Sequence, residues 1–145
     1  MNTFASQYVP VIWITLLYIL LYYIFLLNIL RVKVKIFKRC RSEGTKFDRY
    51  ETKDPELLAA DRIQLNTLEH MPPFLTLLWL QALSASVTSA TICGGVYVFI
   101  RLLYPFFLGT KLQENIPKRL LINTFSGYAV LMVMAGFIIN ALLNS

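Results

Sequence analysis

Residues 8–30 read YVPVIWITLLYILLYYIFLLNIL. The run carries no charge, and Asn28 is its only amide side chain. A helix rises 1.5 Å per residue, so about 20 residues cross a hydrocarbon core of ~30 Å. The run is therefore long enough to span a bilayer. No Lys or Arg precedes it, whereas Arg31, Lys33, Lys35, Lys38 and Arg39 follow it. A removable leader would show a basic start and a small-residue cleavage site. The run shows neither, so it is expected to be retained.

Composition extends this reading to the whole chain. Of 145 residues, 57% are hydrophobic and 15% charged, and mean hydropathy is +0.57. A soluble domain of this size needs less apolar surface. Further spans are expected over about residues 55–83, 87–108 and 119–143. The expected fold class is all-α integral membrane, with four transmembrane helices forming one domain over residues 1–145.

Ten of the fourteen Lys and Arg lie from Arg31 to Arg62; the others are Arg101, Lys111, Lys118 and Arg119. With four spans, all fall on or near one side of the membrane. The positive-inside rule makes that side cytoplasmic and puts both termini opposite. The basic loop reads as a topology signal and a contact for anionic lipid. Its acidic residues Glu43, Asp48, Glu51 and Asp54 argue against a nucleic-acid surface.

The second span has clear start signals. Asp54 suits the N-cap, Pro55 the first helical position and Glu56 the positive end of the helix dipole. A helix over 55–83 is ~43 Å long, so two or three turns stand outside the hydrocarbon. Arg62-Ile63-Gln64-Leu65-Asn66-Thr67-Leu68-Glu69 then places strong polar groups near the interface and deeper. At 100° per residue, Arg62, Asn66 and Glu69 fall within about 60° of one another. Ionisable groups at such depth point to function. Pro72-Pro73 is expected to bend the helix and free carbonyls.

A second polar stripe lies on the third span. Tyr97, Arg101, Tyr104 and Leu108 are spaced four, three and four apart and share a face. Arg101 needs a partner, and Glu69 is the expected one. The bland reading is a Glu69–Arg101 pair that locks two helices. The functional reading is a cytosol-facing chamber lined by Arg62, Asn66, Tyr104, Lys118 and Arg119, suited to a small carboxylate-rich ligand.

Other chemistry is sparse. His70 is the single histidine, so no His/Cys metal cluster can be assembled, and none is expected. No catalytic triad or phosphate-cradling glycine loop is present. Two cysteines do not make a disulfide scaffold. Cys40 sits among Lys38, Arg39 and Arg41 and reads as an incidental cytosolic thiol or, alternatively, a redox- or electrophile-sensing one.

Arg62-x-Gln64-x-Asn66-x-x-Glu69 with a nearby proline, in the second of four spans, resembles the MAPEG family, the membrane-associated proteins of eicosanoid and glutathione metabolism. Arg101-x-x-Tyr104 and Gly127-Tyr128 resemble further motifs of that family. The resemblance implies a left-handed four-helix bundle assembled as a homotrimer, with glutathione as cosubstrate between subunits. Arg62, Gln64, Asn66 and Glu69 would bind it from one subunit, with Arg101 and Tyr104 from the facing third span. Arg119 would face the thiol as the catalytic cation, with Lys118 beside it. A hydrophobic or lipid substrate would enter from the bilayer of the endoplasmic reticulum or a mitochondrion. The implied reactions are glutathione conjugation and peroxide reduction.

The chain also departs from the family pattern. Leu58-Ala59 stands where the family has Glu-Arg, Asp61 replaces a second arginine found in some members, and Leu108 replaces a tyrosine. These changes remove charge and a hydroxyl from the implied pocket. They favour an alternative, a non-catalytic lipid-binding protein or an accessory subunit of a membrane complex. A third reading is an unrelated four-span scaffold or small transporter.

Overall fold

The computed structural model describes residues 6–46, 54–112 and 118–144. They form four helices: α1 (Val9–Ser42), α2 (Pro55–Ser84), α3 (Val87–Leu108) and α4 (Lys118–Leu143). The helices α2 and α3 are the central pair. Each packs on the other and on both α1 and α4, while α1 and α4 scarcely meet.

The first helix runs 12 residues past the end of its expected span. Apolar content marked where the bilayer ends, not where the helix ends. Past Leu30 the backbone keeps its helical bonds, and the long stems of Lys and Arg carry their charges to water. Arg39 and Arg41 in the last turn suit the negative end of the helix dipole. Gly44 then takes φ 69°, a conformation that costs glycine little.

The start of α2 is the one its sequence signals. The Asp54 side chain accepts from the Glu56 N–H at 2.8 Å, with Pro55 at the first helical position. The helix stays continuous through Pro72 and Pro73. Those prolines lack N–H groups, which takes the helical donors from the Leu68 and Glu69 carbonyls. A two-residue turn follows. Ala85 and Ser86 both donate to the Gln81 carbonyl, and the Ser86 side chain accepts from Ser89 N–H to start α3.

Helices α1, α3 and α4 are long and apolar enough to cross a membrane, which makes the chain a multi-pass integral membrane protein. Helix α2 has the length but is not among them, since it carries Asp61, Arg62, Gln64, Asn66, Glu69, His70 and Gln81. The large side chains that face outward fit contact with lipid: Trp13 and Leu20 on α1, Phe99 and Phe106 on α3, Met132 on α4.

Aromatic rings fill the centre. Phe74 stacks on Tyr97 with centroids 4.3 Å apart, and Tyr18 lies 4.8 Å from Phe74. The Tyr18 hydroxyl donates to the Thr67 carbonyl at 2.8 Å, which satisfies its polar end. Gly94 lets α3 approach closely, since a Cβ there would meet Ile14 and Leu78 atoms at 2.8 Å.

Two ion pairs tie the outer part of α1 to the start of α2: Lys35 with Glu56 at 2.6 Å, and Arg39 with Asp54. The hydrogen bond and charge of Lys35 hold the Glu56 carboxyl below the usual carboxylate range. Partial burial acts against the Asp54 carboxylate, but Arg39 and the amides of Glu56 and Leu57 outweigh it, so its pKa also falls below the usual value.

Candidate functional site

Arg101 anchors the polar centre. It is fully buried, about two-thirds of the way along α3. Its Nη1 donates to Asn66 Oδ1 on α2 at 2.7 Å. Its Nε and Nη2 donate to the Tyr97 hydroxyl oxygen at 3.1 and 2.9 Å. Tyr97 precedes Arg101 by one helical turn, so the two side chains lie on one face. The guanidinium carbon also sits 5.0 Å from the Tyr97 ring centroid.

Helix α4 closes over this group at Gly127. A Cβ there would lie 3.0 Å from Arg101 Nη2 and 3.4 Å from its guanidinium carbon. Glycine is the residue that leaves room for the guanidinium between α3 and α4.

The expected Glu69–Arg101 pair does not form. The two ion pairs among the described residues involve neither group, and Glu69 is exposed. The reason is rotation: Glu69 lies three residues past Asn66, about 60° round the helix, enough to turn it out of the α2–α3 interface. Arg101 is therefore a buried cation held by two neutral oxygen acceptors. Such a charge is costly unless its donors are satisfied, and these contacts satisfy three of them.

The span-two motif is divided among three directions. Asn66 is buried against α3. Gln64 turns to α1, where its Nε2 donates to the Tyr22 hydroxyl at 3.2 Å. Arg62 and Glu69 are exposed. Tyr104 is buried on α3; its hydroxyl faces the Arg62 guanidinium, and Arg101 and Glu69 also lie within electrostatic reach. Lys118 and Arg119 occupy the exposed start of α4. Among the described residues, no hydrogen bond or ion pair joins them to Arg62, Gln64, Asn66 or Glu69. One chain thus brings together Asn66, Arg101 and Tyr104, with Arg62 and Glu69 at the rim, and leaves the basic pair of α4 apart.

Sequence reasoning placed Tyr97 on the Arg101 stripe but did not make it the acceptor; the four-residue spacing was the available signal. It missed what Gly127 makes room for. It also missed Asn123, whose Nδ2 donates to the Ile100 carbonyl at 2.9 Å and staples α4 to α3. His70 is buried, with its ring 5.0 Å from that of Tyr128. Among the described residues no group of three His, Cys, Asp or Glu could hold a metal. Cys40 and Cys93 are free thiols, both half-buried.

The comparisons with known proteins agree with this architecture. No curated protein matches the chain. The MAPEG family model matches residues 10–140 of the 145-residue chain, covering all four helices up to the last turn of α4. With nine-tenths of its length matched, the chain belongs to the MAPEG family, the membrane proteins of eicosanoid and glutathione metabolism.

Proposed function

We propose that the protein uses glutathione to conjugate hydrophobic electrophiles or to reduce lipid peroxides at the membrane. The carrying observation is that α2 buries Asn66 against Arg101 while leaving Arg62 and Glu69 exposed beside the Tyr104 hydroxyl. Glutathione has two carboxylates and one ammonium. Arg62 suits a carboxylate, Glu69 the ammonium, and Tyr104 a further polar contact. Asn66, Arg101 and Gln64 fix the shape of that rim.

The exposed rim accords with a pocket completed by a neighbouring subunit, as in a homotrimer. Arg119 or Lys118 would then come from that neighbour's α4. A free thiol with pKa about 8.5 is mostly protonated at neutral pH, and a guanidinium nearby favours the thiolate by one to three units. In conjugation the thiolate sulfur forms a C–S bond, and the displaced electron pair leaves on the electrophile and takes a proton. In peroxide reduction the sulfur attacks one peroxide oxygen and the O–O bond breaks. The alcohol departs with a proton, and a second glutathione returns the oxidised sulfur to water and a disulfide.

A second reading, a lipid-binding or accessory subunit without catalysis, is favoured by one observation. Ala59 and Leu108, which replace an arginine and a tyrosine of the family pattern, are packed with Leu120 in an apolar cluster. Positions that elsewhere face a ligand serve packing here. The deciding experiment is glutathione binding by detergent-purified protein, with the ultraviolet absorbance of bound thiolate near neutral pH. Binding with a thiolate signal that Arg62→Ala abolishes supports the enzyme. No binding at millimolar glutathione rejects it in favour of the second reading.

A further inference from the structure

A cavity of about 440 Å³ opens between α1, α2 and the end of α3, away from the Arg62 rim. On α2 it is bounded by Glu56, Ala59, Ala60 and Ile63. Those positions centre roughly 120° round the helix from Arg62 and Glu69. The small side chains of Ala59 and Ala60 leave the space open. Asn28, Arg31 and Lys35 enter from α1, and Thr110 from beyond α3.

We propose that this cavity binds the phosphate of an anionic phospholipid whose acyl chain lies along α1. Glu56 and Lys35 neutralise each other at 2.6 Å, whereas Arg31 has no ion-pair partner among the described residues. The cavity therefore keeps one uncompensated cation, flanked by the Asn28 amide and the Thr110 hydroxyl as neutral donors. A guanidinium with such donors suits a phosphate.

Arg31 lies 22 residues beyond Val9 on α1, a rise of ~33 Å, which is the thickness of a hydrocarbon core. It is also the first cation after the apolar run. Gly109 and Thr110, just past the end of α3, line the same cavity as Arg31. Lipid phosphates lie at this boundary, and basic pockets between helices on this kind of side hold anionic head groups.

Leu27, Leu30 and Val34 line a shallow open depression on the outer face of α1, and Arg31 borders both it and the cavity. A phosphate at Arg31 would place an attached chain against those three residues. A water-soluble phosphate would leave that apolar surface unused, so the occupant is a lipid.

The experiment is native mass spectrometry of delipidated protein titrated with phosphatidylserine or phosphatidylcholine. One phosphatidylserine per chain should be retained, and phosphatidylcholine should bind clearly more weakly. Arg31→Gln should lower phosphatidylserine retention about fivefold to tenfold, and Arg31→Lys should recover most of it. Helicity and thermal midpoint should not change, because Arg31 is exposed. Equal retention of the two lipids, or an unaffected Arg31→Gln variant, overturns the proposal. So does glycerol phosphate competing as well as the lipid, which would make the site one for soluble phosphate. Displacement of the lipid by millimolar glutathione would also overturn it, by assigning the cavity to the thiol. Failure to bind glutathione anywhere would leave the lipid result standing.

Discussion

Arg101 and Arg62 belong to one implied pocket, yet the structure treats them in opposite ways. Arg101 is fully buried, with its donors on Asn66 and Tyr97 and a glycine cut to its shape. Arg62 is exposed, with a tyrosine hydroxyl before it. A cation with three of its five N–H groups held inside the bundle, and no exposure to solvent, has little left to offer a ligand. Its work is to hold α2, α3 and α4 in register. A cation at the rim has donors to spare. On the function proposed above, the motif's arginines divide into one that builds the pocket and one that would meet what enters it.

The sharpest test of that division is removal of each arginine. Arg101→Met leaves Asn66 and Tyr97 with buried unpaired groups, and truncating one member of such a network costs about 3–5 kcal/mol. Unfolding in mixed detergent should show this loss. Arg62→Ala should change stability by less than about 0.5 kcal/mol, as surface substitutions do, while weakening glutathione binding. Equal destabilisation by the two would erase the distinction.

Smaller effects refine the buried half. Gly127→Ala should cost about 1–3 kcal/mol, because the added methyl group overpacks the guanidinium; an unchanged thermal midpoint would show that Arg101 moves aside freely. A double-substitution cycle between Asn66 and Arg101 should give a coupling of about 0.5–3 kcal/mol, and the cycle between Glu69 and Arg101 a smaller one. The reverse order would restore the pairing that the sequence suggested.

The smallest expected effect lies at the α1–α2 ion pairs. Asp54 and Glu56 have folded-state pKa values below their ordinary ones. Their contribution is therefore fully present above the usual carboxylate range, about pH 4–5, and is lost as pH falls through the lower folded values. The thermal midpoint of the native protein should drop more between pH 6 and pH 3, roughly the window of that titration, than that of a Lys35→Gln/Arg39→Gln variant. Parallel curves would show that the pairs contribute nothing.

Most of the architecture was legible because the bilayer imposes a length on apolar runs. The Asp54-Pro55 start and the short turn before Val87 were legible for local reasons, namely capping and proline geometry. The far end of α1 was not, because a helix leaving hydrocarbon loses its apolar signal but not its backbone bonds. In the site, spacing put Asn66 and Glu69 on one face but could not decide which would meet Arg101; that turns on some 60° of rotation and on where α3 lies. Gly127 was invisible as a determinant, since only the position of a neighbouring side chain shows what a glycine makes room for. On the proposed reading, whether Lys118 and Arg119 of α4 meet the rim depends on a neighbouring chain, which no reading of one helix supplies.

The overhang of α1 has a consequence for where the protein can reside. Its apolar run ends at Leu30, but the helix continues to Ser42, with Lys33 able to lift its charge along a flexible stem. A thicker or thinner bilayer therefore shifts the water boundary along an unbroken rod instead of forcing a loop into hydrocarbon. Such a helix tolerates a mismatch of several ångströms at modest cost, so membranes of different thickness can host the same fold without remaking its buried polar centre.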